Sequence, residues 1–284
     1  MKNDIVASVV QYQIGRFTER TQNLQHLLEV IEAEAKKKTQ MVVFPEMCIT
    51  GFFSHDPNGL RRYWDEGTIE IDGPELQALS AATKQHGMHI IVGFAERGEN
   101  VGVIHNSAAL IGPAGIVGVT RKIHFPTLEK LYYTAGDSID VFDCEFGRIG
   151  MVICYDAMFP EYTRELFRQG VEIIVFTSSM WRGGNKGGVG IDGPKRDFWK
   201  QLALVTAVQN QAFVVSANGC GCQDMGSLAG TWERLGISQI VAPTGEVLEC
   251  ASESETTILT TTLPYAKMVE ARTSYRFITD AMVD

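Results

Sequence analysis

The chain has 284 residues, of which 45% are hydrophobic and 21% charged, and its formal net charge is -9. These values describe a globular protein with a sizeable core. An acidic chain without a basic stripe is not built for nucleic acid or anionic membrane, and six cysteines over this length make no disulfide framework.

Met1-Lys2-Asn3-Asp4 leads straight into a strand pattern, and no apolar run reaches the length of a membrane span or signal segment. A cytoplasmic protein is therefore expected. Residues 4–11 are apolar on both alternating faces, as in a strand buried between layers. Leu24, Leu27, Leu28, Ile31 and Ala35 fall at helical spacing, with Glu29, Glu32 and Glu34 ahead of Lys36, Lys37 and Lys38, an order that suits the helix dipole. Residues 41–44 form the next strand, which stops at Pro45-Glu46. A carboxylate just past a buried strand stands where an α/β sheet presents its working groups.

Residues 50–73 are polar and rich in turn formers, a long loop close behind Glu46. Residues 74–85 read as a helix, and residues 89–94, 106–111 and 116–120 as strands, with a hairpin turn at Gly112-Pro113-Ala114-Gly115. Lys122 closes the last of these strands. Residues 149–153 are another apolar strand, ending on Cys154, and Pro160 then opens a helix, where its missing N–H costs nothing. At such a junction, backbone N–H groups and the helix dipole favour a thiolate. Residues 172–176 deliver Thr177 to Trp181 to the same sheet edge, and the glycine-rich run that follows, residues 183–190, reads as a flexible pocket loop. A helix over 194–211 and strands over 212–217, 236–242, 247–250 and 257–263 complete the pattern. No repeat, low-complexity tract or linker interrupts it, so residues 1–284 read as one domain.

Cofactor chemistry finds no foothold. Cys220 and Cys222 lack a second pair or a nearby histidine, the six histidines are scattered, and there is neither a phosphate loop nor a well-placed G-x-G-x-x-G. Neither a metal nor an organic cofactor is expected. Three strand ends each carry a reactive group: Glu46, Lys122 and Cys154. Singly, each has an ordinary alternative, a solvated strand-end charge for Glu46 or Lys122 and a small buried hydrophobe for Cys154.

Together, Phe44-Pro45-Glu46, Arg121-Lys122-Ile123-His124 and Cys154-Tyr155-Asp156-x-x-Phe159-Pro160-Glu161 resemble the signatures of the nitrilase, or carbon–nitrogen hydrolase, superfamily, in order and spacing over nearly the whole chain. The Gly236-x-Ser238 and Pro243-Thr244-Gly245 segment fits the same pattern. The resemblance implies an α/β fold, a four-layer αββα sandwich with two central mixed β-sheets. It also implies Cys154 as nucleophile, Glu46 as general base, Lys122 with the Tyr155 backbone N–H as oxyanion donors, and Glu129 as the residue that orients substrate or lysine. Tyr155-Asp156 after the cysteine is the amidase-like form; true nitrilases have Trp-Glu there. Ala157 and Met158 stand where relatives that take carboxylate-tailed substrates place arginine. With Tyr155, Met158, Met180 and Trp181 as pocket walls, the expected substrate is a small neutral carboxamide, unless Arg182 or Arg196 reaches the pocket from the glycine-rich loop. Hydrolysis of an N-carbamoyl compound is the alternative activity, and a catalytically silent scaffold the alternative class. Gln209 departs from the family's usual glutamate, with an altered hydrogen bond or pocket wall as the consequence. The resemblance further implies a homodimer or higher homo-oligomer, with a two-fold interface through the helix that Pro160 opens. Residues 265–284, too irregular to pack as a core element alone, are expected to reach across to the partner.

Overall fold

The structure is a computed structural model that describes residues 1–186 and 192–281. In chain order it comprises β1 (Ile5–Gln11), α1 (Arg20–Lys36), β2 (Met41–Val43), the one-turn α2 (Gly59–Arg62), α3 (Pro74–His86), β3 (His89–Arg97), β4 (Ile104–Gly112) and β5 (Gly115–Arg121). There follow β6 (Val141–Cys144), β7 (Gly147–Ile153), α4 (Pro160–Arg168), β8 (Ile173–Ser178), β9 (Trp181–Gly184), α5 (Asp192–Asn210), β10 (Phe213–Asn218), β11 (Cys222–Asp224) and β12 (Thr231–Arg234). The chain closes with β13 (Gln239–Val241), β14 (Val247–Cys250), β15 (Thr257–Leu263), α6 (Tyr265–Ser274) and α7 (Phe277–Asp280).

Two six-stranded sheets run β15-β1-β2-β3-β4-β5 and β14-β13-β10-β8-β7-β6, and a small third sheet runs β11-β12-β9. Both large sheets are mixed. In the first, β1, β2 and β3 are parallel neighbours while β15, β4 and β5 pair antiparallel; in the second, β7, β8 and β10 are parallel, with antiparallel strands outside them.

Alternation decides which residues meet between the sheets. Ala7, Val9, Val43, Ile91 and Leu110 of the first sheet join Met151, Ile153, Val175 and Val215 of the second in one apolar core. The opposite faces go to helices. Leu27, Val30 and Ile31 of α1 and Leu76 and Leu79 of α3 cover Val42, Ile90 and Val92, while Leu166 of α4 and Trp199, Ala203 and Ala207 of α5 cover the second sheet. The result is the αββα sandwich, with each helix buried along its 3.6-residue stripe.

Three expectations need correction. Residues 236–242 yield only a three-residue strand, because Ile237 takes φ 58°, a left-handed conformation that an extended ladder cannot include. The loop over 50–73 contains α2 followed by a turn of π-helix over Tyr63–Gly67. Residues 265–274, read as too irregular to pack alone, form α6 on this chain's own core. Met268 and Ala271 are buried there, Gln211 donates from Nε2 to the Ala271 and Tyr275 carbonyls at 2.7 Å each, and Arg272 donates to Val171 O at 2.8 Å. Side-chain donors thus satisfy carbonyls that a helix C-terminus leaves orphaned. The glycine-rich run over 183–190 lies only partly within the described residues: Gly183 and Gly184 end β9, and Asn185 and Lys186 form a turn. Residues 282–284 of the C-terminal segment lie outside them.

Candidate active site

The first sheet supplies two of the three groups and the second sheet the third. Glu46 lies three residues past β2, and the chain there crosses the sandwich: Glu46 N–H donates to Ser178 O at 3.3 Å, and Thr177 Oγ1 donates to Phe44 O at 3.0 Å. Gly93 makes the crossing possible. A Cβ at that position would lie 2.6 Å from Met47 N and 2.9 Å from Glu46 Cα, so only a glycine lets the loop rest on β3. Lys122 follows β5 directly, and its backbone is held to β4 by donation to Asn106 O at 2.8 Å. Cys154 follows β7 and takes φ 49°. A non-glycine residue in that region carries about 1–3 kcal/mol of strain, which the packing on both sides must hold in place.

The reactive side chains are themselves buried, Cys154 being 4% exposed. Lys122 Nζ donates to Glu46 Oε1 at 2.8 Å and to Glu129 Oε2 at 2.7 Å, and both Lys122 and Glu46 are wholly buried. Asn106 Nδ2 donates to Glu46 Oε1 at 2.7 Å, and Ser179 N–H donates to Oε2 at 3.0 Å, so both carboxylate oxygens have fixed donors. Asp156, fully buried two residues past Cys154, accepts from His124 N and His124 Nδ1 at 2.8 Å each and from Ile123 N at 3.3 Å. That carboxylate ties the chain after Lys122 to the turn after Cys154, and so fixes the lysine relative to the thiol. The Tyr155 N–H belongs to the first turn of the 3₁₀ helix Cys154–Met158, whose leading amides have no partner within the helix.

Charge in this enclosure follows from burial and partnership. Burial pulls Lys122 down, but the carboxylates of Glu129 and Glu46 outweigh it and hold the ammonium well above its ordinary pKa. Burial lifts Glu129 to about 7 against the pull of Lys122. The thiol of Cys154 is pushed well up, first by burial and then by the negative Glu46, with Lys122 and the Ser179 N–H opposing. This reverses the expectation of a resting thiolate. Desolvation and a neighbouring carboxylate exceed whatever the short helix contributes.

Beside Glu129 lies an enclosed cavity of about 40 Å³, walled by Phe52, Phe53, Trp181, Met225 and Trp232 and by residues 126–128. Trp181 is in that wall. Met180 and Met158 instead pack against the sandwich core, and Tyr155 meets Phe159 edge-on at 5.4 Å between centroids. Arg182 of β9 and Arg196 of α5 both pair with Glu253, Arg196 at 3.3 Å. Gln209 is exposed in a surface groove between α4, α5 and Phe277, outside this cavity. Asn106, Ser179, Asp156 and Phe52 were not singled out from sequence. Asp156 and Phe52 stand inside or beside the quoted motifs and could have been; the roles of Asn106 and the Ser179 amide depend on strand pairing and carry no local signal. Among the described residues no three His, Cys, Asp or Glu side chains are grouped to hold a metal ion, and no helix is long and apolar enough to cross a membrane.

Known proteins share this arrangement of the chain. The profile of the carbon-nitrogen hydrolase family matches residues 6–273. The chain is 30% identical over 244 residues to a 2-oxoglutaramate amidase of Bacillus subtilis, covering 85% of this chain and 84% of that one. It is 29% identical over 266 residues to an (R)-stereoselective amidase of a Pseudomonas species, covering 94% and 88%. Among solved structures, a carbon-nitrogen hydrolase from Helicobacter pylori G27 superposes with a TM-score of 0.84 at 26% identity, over 99% of this chain and 96% of that one. With the profile spanning almost its whole length and the sandwich matching in three dimensions, the chain belongs to the carbon–nitrogen hydrolase family.

Proposed function

We propose that this protein hydrolyses small, neutral carboxamides through a thioester on Cys154, releasing ammonia and a carboxylic acid. The observation that carries the reading is the buried Lys122 ammonium shared between Glu46 and Glu129 beside a strained cysteine. A scaffold has no use for such an arrangement, because burying a charged lysine with two carboxyl groups without a task costs stability. Glu46 takes the Sγ proton as sulfur attacks the amide carbon, and Lys122 with the Tyr155 N–H receives the oxyanion. Collapse of the adduct expels ammonia, which leaves with the proton held by Glu46. Water, deprotonated by the same carboxylate, then attacks the thioester, and the thiol recovers its proton as the acid departs. Glu129 holds Lys122 in register throughout.

The neutral class of substrate rests on the cavity wall. A substrate carboxylate buried there needs a cation, and an unpaired one costs several kcal/mol, roughly the scale of a buried ion. The wall is aromatic, and Arg182 and Arg196 are engaged with Glu253. An N-carbamoyl amino acid or an ω-carboxylate amide therefore finds no partner in the wall. Two measurements test this. Cys154→Ala is expected to end ammonia release while keeping the fold, and wild-type turnover in that variant refutes the mechanism. In the wild type, kcat/KM for propionamide should exceed that for succinamate and for an N-carbamoyl amino acid. A preference for the charged substrates by more than about tenfold, roughly 1.4 kcal/mol, refutes the neutral pocket.

A further inference from the structure

Behind the aromatic wall stands a cation without a charge partner among the described residues. Arg234 ends β12, and the ladder sets it opposite Trp181 of β9. This register lays the guanidinium carbon 4.5 Å from the Trp181 ring centroid and 5.8 Å from that of Phe52. Gly219, just past β10, leaves the space: a Cβ there would lie 2.6 Å from Arg234 Cδ and 3.1 Å from Nε. Arg234 is only 1% exposed. Its Nη2 donates to Gln223 Oε1, while among the described residues Nε and Nη1 have no hydrogen-bond partner and no carboxylate forms a salt bridge to it. Burial pulls the guanidinium down to about 10 against the opposing pull of Tyr12 and Glu46. An apolar side chain of similar volume would fill this space without that penalty.

The cation does have one well-formed partner, the face of the indole. A guanidinium over an aromatic ring in a desolvated setting is among the stronger forms of this contact. Trp181 in turn meets Phe52 edge-on at 5.4 Å and Trp232 at 5.9 Å, and all three rings line the cavity of about 40 Å³. Arg234 itself lies outside that lining, so it acts through Trp181. The volume is about a quarter of the roughly 150 Å³ that accepts a benzene ring, so a slight turn of one indole changes what the cavity holds.

Resting on the amidase reading above, we propose that Arg234 is a specificity-determining positioning residue. Clamped across the back of Trp181, it fixes the indole as the end wall that limits the length of the acyl chain. Without the cation the indole gains freedom to rotate and the cavity lengthens.

The test is the ratio of kcat/KM for propionamide to that for hexanamide, in wild type, Arg234→Met and Arg234→Lys. Wild type should favour propionamide, Arg234→Met should lower the ratio by about tenfold, and Arg234→Lys, which keeps a cation over the ring, should hold it within about threefold. A residue that serves stability alone lowers Tm and leaves the ratio where it was. An unmoved ratio in Arg234→Met, or a lysine variant as unselective as the methionine one, overturns the inference. Should Arg234→Met not fold, Gln223→Met removes the guanidinium's hydrogen-bond partner; a fall of about threefold supports the inference and an unchanged ratio overturns it. A wild-type protein that releases ammonia from neither amide overturns the amidase reading and this inference together. An active wild type with an unmoved ratio overturns this inference alone.

Discussion

Replacing Lys122 by methionine removes a wholly buried ammonium and keeps most of its volume. The carboxylates left behind, Glu46 and Glu129, then share an enclosure without their cation, having lost bonds of 2.8 and 2.7 Å. Breaking a buried pair by deleting one partner costs about 3–5 kcal/mol, because the remaining charge stays desolvated. The carboxylates can escape part of that cost by taking up protons, so the loss must depend on pH. Their folded-state pKa values rise above the unfolded value near 4.3, and the folded state then binds more protons than the unfolded one. Stability in the variant is therefore greatest at low pH and falls as pH rises, by up to about 1.4 kcal/mol per pH unit for each proton involved. In a chain of this size 1 kcal/mol moves Tm by about 2 °C, so the variant should melt roughly 6–10 °C below wild type at pH 8 and much closer to it at pH 5.5. The assay is thermal unfolding of both proteins at the two pH values. A difference below about 2 °C at pH 8, or one of equal size at both, refutes the assignment of Lys122 as the counter-charge of this pair.

Glu129 keeps its proton up to about pH 7, so kcat/KM of the wild type should change through that pH as a second carboxylate charges against Lys122. The same raised pKa contributes stability at low pH that is lost as pH rises through about 7, and Glu129→Gln should remove both the kinetic step and this part of the Tm profile. Gly93→Ala would push the Glu46 loop off β3, and should lower kcat by at least about tenfold with a stability loss of roughly 1–3 kcal/mol; normal turnover would show that the loop tolerates the added carbon. The protein is proposed to form a homodimer through the outer faces of α4 and α5, where Phe198, Val205 and Val208 remain exposed. Sedimentation at micromolar concentration should find a dimer, and a monomer rules that surface out.

The sequence by itself carried the large strands, the helices α1, α3, α4 and α5 and the reactive strand ends, because each rests on local chemistry. Hydrophobic period distinguishes a strand such as β1 from a helix such as α1, Pro160 marks a helix start, and a Glu, Lys or Cys just past a buried strand stands out against its apolar run. What local pattern could not carry was anything set by pairing at a distance. The third sheet joins β9 to β12 across about fifty residues of chain, and only that register places Arg234 against Trp181. Asn106 and the Ser179 amide find Glu46 because two sheets face each other, and neither residue's neighbours in sequence announce it. Met158 and Met180 pack in or against the same apolar cluster as Cys154, a placement set by how the sheets pack and not by proximity along the chain. The protonation of Cys154 was decided in the same way. A strand end before a helix favours a thiolate in water, whereas a sulfur closed in beside Glu46 pays for charge through desolvation, which depends on the whole fold.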